Sequence, residues 1–231
     1  MQTVLATAGL APVFATALLN DAVAQASPLR AGAETRGGMR RIYEADAEIF
    51  AEGDRATTFY KVVTGVVRTY KLLSDGRRQI DAFHLPGDIF GVEAGEEHRF
   101  NAEAVTEAKL AVHRREPHAL AGDGGMLARE VVAAMMRSLE RAQDHMLLLG
   151  RKSAKERIAT FLLGLSHRMA SRGAAIELPM SRADMADHLG LTVESVSRAV
   201  TQLEREGLIE LPPNRRAVVL RDVRALKNLA D

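Results

Sequence analysis

The 231-residue sequence contains no cysteine, which excludes disulfides, thiolate zinc sites and cysteine-held iron–sulfur clusters. It also lacks a Gly-x-Ser-x-Gly nucleophile elbow and a phosphate-cradling glycine loop, so the reading is against an enzyme. No lysine or arginine precedes Arg30, and the basic n-region of a secretory leader is therefore missing from the apolar segment 1–26, although that segment ends in small residues. Asp21 cuts the same segment short of a membrane span, so residues 1–29 are expected to form a helical extension or loosely held arm on a cytoplasmic protein with no membrane partner. A large net charge is absent as well. The total of +1 conceals a split between residues 1–149, with 17 basic and 20 acidic side chains, and residues 150–231, with 14 and 10. The C-terminal part is the one with the charge a phosphate backbone requires.

Length and turn signals divide the chain into an arm and linker (1–40, with Gly32, Gly37 and Gly38), a strand-rich domain (41–120), a long helix (124–150) and a C-terminal unit (151–231). In the second of these, turns at Gly53-Asp54, Thr64-Gly65, Asp75-Gly76 and Pro86-Gly87-Asp88 separate strand-like runs at 58–63, 66–72, 79–83 and 109–113. That spacing predicts an antiparallel, jelly-roll-like β-roll, making the fold class α+β.

Residues 181–198 predict two short helices joined by a glycine turn. Ser181 and Asp184 approximate a capping box, Met185 and Leu189 share an apolar stripe, and Gly190 ends the first helix. The second runs over about 192–206: Val193, Val196, Val200 and Leu203 form its buried face, and Glu194, Ser197, Arg198, Thr201 and Arg205 its opposite one. Runs at 208–211 and 217–220 around Pro212-Pro213-Asn214-Arg215-Arg216 predict a two-stranded hairpin, so the unit is a winged helix-turn-helix. A capped helix starting near Ser153 and Glu156 and carrying Ile158, Phe161, Leu162 and Leu165 should support it.

A helix fits the major groove of duplex DNA and its first turns approach the base edges. Arg198 can donate twice to guanine, Glu194 can accept from a base amino group, and Ser197 can bond or touch a thymine methyl; these are the candidate base-reading residues. Thr192, Ser195, Thr201 and Arg216 are candidate phosphate contacts, and Arg215 shares the hairpin tip. On the long helix, Val131, Met135, Leu139, Ala142, Met146 and Leu149 follow a 3–4 spacing that predicts a coiled-coil-like seam and a homodimer. Two-fold dimers match palindromic double-stranded DNA.

Two other constellations suggest different chemistry. His84, His98, His113 and His118 fall in or near the β-roll and would serve a haem-gated sensor, but no ligating motif accompanies them. The run Glu93, Glu96, Glu97, His98 would serve a cupin-like metal enzyme, but no second His-x-His motif follows.

The β-roll, long helix and winged unit, with Gly190-Leu191-Thr192-Val193-Glu194-x-x-Ser197-Arg198, Leu85-Pro86-Gly87-Asp88-Ile89-Phe90-Gly91 and Asp75-Gly76-Arg77-Arg78-Gln79-Ile80, resemble the CRP/FNR superfamily of bacterial transcription regulators over about residues 42–220. The Glu-x-x-Ser-Arg arrangement is similar to the FNR and FixK types. That resemblance implies the role of an activator without catalysis, TTGA half-sites, RNA polymerase as a partner, and no cofactor or small effector, as in the FixK branch. A ligand-gated regulator is the alternative. The cysteines of FNR-type oxygen sensors are absent, and Ala102-Glu103 stands at the expected phosphate-binding pair of cyclic-nucleotide binders, which would set a carboxylate against an anion.

Overall fold

The computed structural model describes residues 39–116, 125–169, 175–213 and 216–230. The expectations for the arm at 1–38, for His118 and for Arg215 lie outside these residues.

Eight strands form two antiparallel four-stranded sheets: β1 (Met39–Tyr43), β2 (Glu48–Phe50), β3 (Thr58–Thr64), β4 (Val67–Leu72), β5 (Arg78–His84), β6 (Ile89–Phe90), β7 (Asn101–Ala104) and β8 (Ala108–Arg114). The orders β1-β8-β3-β6 and β2-β7-β4-β5 are those of a jelly roll. Phe50, Tyr60, Val62, Val67, Phe90, Ala102 and Leu110 fill the space between the sheets because period-two alternation turns them all inward. Gly65 has φ of 82°, and a Cβ there would sit 2.2 Å from the Glu107 carbonyl oxygen, so only glycine closes the β3–β4 turn. Strand β1 begins at Met39, two residues before the expected start of the roll at 41, with Met39 and Arg40 paired to Val112 and Ala111 of β8.

Helix α1 (Met126–Arg151) leaves the roll, and α2 (Ala154–Met169) returns beside it. The predicted cap of α2 is present: Ser153 N donates to the Glu156 carboxylate at 2.7 Å, and Glu156 N to Ser153 Oγ at 3.4 Å. Strand β9 (Ala175–Glu177), α3 (Arg182–Leu189), α4 (Val193–Arg205), β10 (Ile209–Glu210), β11 (Ala217–Leu220) and α5 (Val223–Ala230) complete the chain. The wing has three strands where two were expected, in the order β10-β11-β9, since the run before α3 pairs with β11. Helix α5 was not anticipated; its Leu226 is fully buried. One apolar cluster joins Ile80, Phe83 and Leu85 of the roll to Ile158 and Leu162 of α2, Met185 and Leu189 of α3, and Val196, Val200 and Leu203 of α4.

Candidate nucleic-acid interface

Helix α3 starts with a complete capping box. Ser181 Oγ accepts from Asp184 N at 3.0 Å, and Ser181 N donates to Asp184 Oδ2 at 3.0 Å. It stops at Gly190, whose φ of 61° is left-handed and lets the chain turn into α4. Thr192 then caps α4 by accepting from Ser195 N at 3.2 Å. The Thr192 hydroxyl also donates to Ser195 Oγ at 3.1 Å, so both of these candidate phosphate ligands serve the helix start.

The buried face of α4 consists of Val196, Ala199, Val200 and Leu203. Val193, expected on that face, is 42% exposed: it is the first helical residue and projects beyond the edge of the core, while Ala199 takes a place in it. Glu194, Ser197, Arg198, Thr201, Gln202 and Arg205 are exposed, and the last five line one shallow surface concavity. Gln202 belongs to this face by its helical phase and was not singled out from the sequence. The Glu194 carboxyl is held below the usual carboxylate range by its own backbone amide, the Thr192 hydroxyl and the Arg198 guanidinium. It therefore stays an ionised acceptor beside an Arg donor, the pair that opposing bases in a major groove can use. Arg216 is exposed at the start of β11.

The charges on α3 have a different fate. Asp184 is 4% exposed and accepts from Arg78 at 2.6 Å and Arg68 at 3.2 Å, both strand residues of the roll. Arg68 also pairs with Glu103 at 2.9 Å and Asp46 at 3.1 Å, and Arg78 with Asp187 at 2.8 Å. Gln79 donates to the His188 carbonyl at 3.3 Å, and the His188 ring bonds the Ile80 carbonyl at 3.1 Å while stacking on His145 of α1 at 4.3 Å. Burial lowers the His188 pKa to about 3. Asp88 takes a bond from Leu85 N at 2.8 Å, pairs with Arg168 of α2 and lies 3.7 Å from Arg141 of α1. The Asp75-to-Ile80 and Leu85-to-Gly91 stretches thus fasten the roll to the helices. Pairings more than a hundred residues apart leave no local signal, and only the clustering of Arg77-Arg78 hinted at them.

Within the roll, a cavity of about 200 Å³ is bounded by Thr69, Asp81, His84, Glu93, Arg99 and, from α1, Ser138. Glu103, expected to face a bound phosphate, does not line this cavity. Glu103 is drawn to Arg68, and the charged side chains that line the cavity are the carboxyl groups of Asp81 and Glu93 and one guanidinium, Arg99. His84 is buried, bonds Thr69 Oγ1 at 3.0 Å and has its pKa lowered by burial to about 4. His98 stacks on Phe50 at 3.6 Å, 3.7 Å from Glu93, and His113 stacks on Phe59 at 5.1 Å. Glu96 and Glu97 are exposed on the loop before β7. Among the described residues no group of three or more His, Asp or Glu side chains is placed to hold a metal, and no helix is long and apolar enough to cross a membrane.

The six seam residues of α1 separate. Val131 is buried with Ala134 against Phe59 and Ile89 of the roll, and Leu149 packs on the cluster shared with the helix-turn-helix. Met135, Leu139, Ala142 and Met146 are exposed, together with Val132, Met136 and Leu147. A 3–4 spacing on a helix flanked on one side by its own domain cannot by itself say which of two adjacent faces each residue joins.

Residues 40–119 match the model of the cyclic nucleotide-binding domain, and residues 156–229 that of the Crp-like helix-turn-helix domain. The chain is 50% identical over 197 residues to the nitrogen fixation regulation protein FixK of Azorhizobium caulinodans, covering 83% of this chain and 79% of the relative. To FixK of Rhizobium meliloti it is 44% identical over 217 residues, 91% of this chain and 99% of the relative. The solved structure of FixK2 from Bradyrhizobium japonicum superimposes with a TM-score of 0.76 at 47% identity, covering 84% of this chain and 97% of that one.

Proposed function

Because the chain belongs to the CRP/FNR superfamily of DNA-binding transcription regulators, in its FixK-type branch, and is no enzyme, we propose that it binds as a homodimer to TTGA-type palindromes. It does so without a small effector and activates transcription through RNA polymerase. The observation that carries the reading is the outer face of α4, where Glu194, Ser197 and Arg198 stand exposed at the helix start while Asp184 and Asp187 of α3 are paired with Arg78 of the roll. Arg198 reads guanine, Glu194 the amino groups of the opposing strand, and Ser197 a neighbouring thymine. Thr192, Ser195, Thr201 and Arg216 set register on the phosphates.

The homodimer is supported by the large apolar side chains Val132, Met135, Met136, Leu139, Met146 and Leu147, left exposed along α1. At 1.5 Å per residue this helix is about 39 Å long, enough for a two-fold seam. An apolar stripe of this size is costly on a monomer and is covered by a second copy of itself. Effector-free binding is supported by the cavity in the roll, where two carboxyl groups against a single guanidinium suit a cyclic phosphate poorly. Sedimentation of the protein with and without a palindromic duplex tests the reading: two chains per duplex are expected, and L139E should reduce the free protein to monomers. A wild-type monomer binding one chain per duplex would overturn it.

A further inference from the structure

Helix C-termini leave carbonyl oxygens that their own helices cannot serve. At the end of α1, Lys152 N reaches Leu148 O at 3.3 Å, and Ser153 N is spent on Glu156, so Leu149 O has no donor from the chain that follows. At the end of α3, Gly190 N and Leu191 N both go to Ala186 O, which leaves Leu189 O in the same position. One side chain meets both ends. Arg157, on the first turn of α2, donates from Nη2 to Leu149 O at 2.9 Å and from Nε to Lys152 O at 2.9 Å. Its Nη1 donates to Leu189 O at 2.8 Å and to Gly190 O at 3.3 Å. The place is tight. A Cβ on Gly190 would meet Leu149 Cδ2 at 3.3 Å and Arg157 Nη1 at 3.4 Å.

The geometry points to Arg157 as a positioning residue that sets the spacing at which the two recognition helices meet DNA; this rests on the dimer-on-palindrome reading. Helix α1 carries the seam and hence the two-fold axis, whereas α4 begins three residues after Gly190. The guanidinium is a polar joint between them, beside the stack of His145 on His188, so a small rotation there swings the start of α4 along the groove. Only a planar fork reaches carbonyls on both sides at once; a lysine ammonium is a point donor and holds one side or the other. Shifting one half-site by a single base pair moves it about 3.4 Å along the duplex and turns it about 34°. A rigid joint resists that displacement, and a loosened one follows it.

The experiment compares wild type, R157K and R157Q on palindromes at the best spacer, at spacers one base pair shorter and longer, and on a duplex with a single half-site. Wild type should prefer its best spacer by about tenfold or more, and R157K should narrow that preference to about twofold while keeping single-half-site affinity within about twofold. A label-based readout independent of DNA accompanies it. The chain has no cysteine, so N228C on the exposed side of α5 takes a unique spin label. The distance between labels in the free dimer should be narrow in wild type and broad in both variants, with R157Q deciding the matter if R157K does not fold. Retained spacer preference with a narrow distance would overturn the proposal. So would single-half-site affinity that falls in step with palindrome affinity, since Arg157 would then support the fold of the head alone. If wild type itself discriminates no spacer and gives no label-to-label distance, it is the dimer reading that fails, and this shows before any variant is compared.

Discussion

The inner side of α3 and the outer side of α4 belong to one helix-turn-helix and are built from similar residues, yet their charges are used in opposite ways. On α3, Asp184 and Asp187 are consumed by Arg68 and Arg78 of the roll and by the cap at Ser181. On α4, Glu194 and Arg198 face solvent, with a start-of-helix cap and a buried valine row holding them in place. Buried charges pay a desolvation cost that several partners must offset, so they fix how the domains sit. Exposed charges at a helix start gain little in the free protein and keep their hydrogen-bonding capacity for another molecule. The contrast separates a fastening face from the exposed face proposed to read DNA.

Removing a fastening charge should have the largest effect on stability. D184N withdraws the shared acceptor of Arg68 and Arg78 and is expected to lower unfolding free energy by about 3–5 kcal/mol in urea titrations. The same change made on the reading face should leave stability untouched: R198A should remove about 1–3 kcal/mol of discrimination at one base pair, measured by competition among single-substituted duplexes. Equal loss on every sequence would move Arg198 from base reading to phosphate contact.

Acid should act on stability through buried histidines, His188 on the fastening side and His84 at the cavity of the roll. His188 and His84 have folded pKa values of about 3 and about 4 against 6.5 in the unfolded chain. Their depressed values mean that their contribution is fully present above pH 6.5 and is lost as the pH falls toward 4, because the unfolded chain then binds protons that the folded one refuses. Each histidine should cost up to about 1.4 kcal/mol per pH unit in that window, and H188Q should flatten the acid limb of the stability profile by one proton. The smallest expected change is R216A, which should weaken binding to all sequences alike and lower the salt slope by about one.

How much of this was legible beforehand depended on range. The α4 face was readable because Val196, Val200 and Leu203 repeat at helical spacing and leave Glu194, Ser197 and Arg198 opposite. Val193 was misassigned because phase alone does not show where the core ends. The longer strands β3, β4, β5 and β8 were readable from alternation and turns, whereas β1, β2, β6 and β7 are short and are defined by partners distant in sequence. The same limit hid the Arg78–Asp184 pair, 106 residues apart, and the bond from Arg157 to Leu189, 32 apart. It also hid the division of the α1 seam, since Val131 and Leu149 satisfy the same spacing as Leu139 and Met146.

The most direct test is fluorescence anisotropy of the purified, ligand-free protein on a duplex carrying a TTGA-type palindrome and on one with both half-sites scrambled. A preference of about 10³ or more for the palindrome is expected of a specific, effector-independent regulator. Equal binding to the two duplexes would contradict the account.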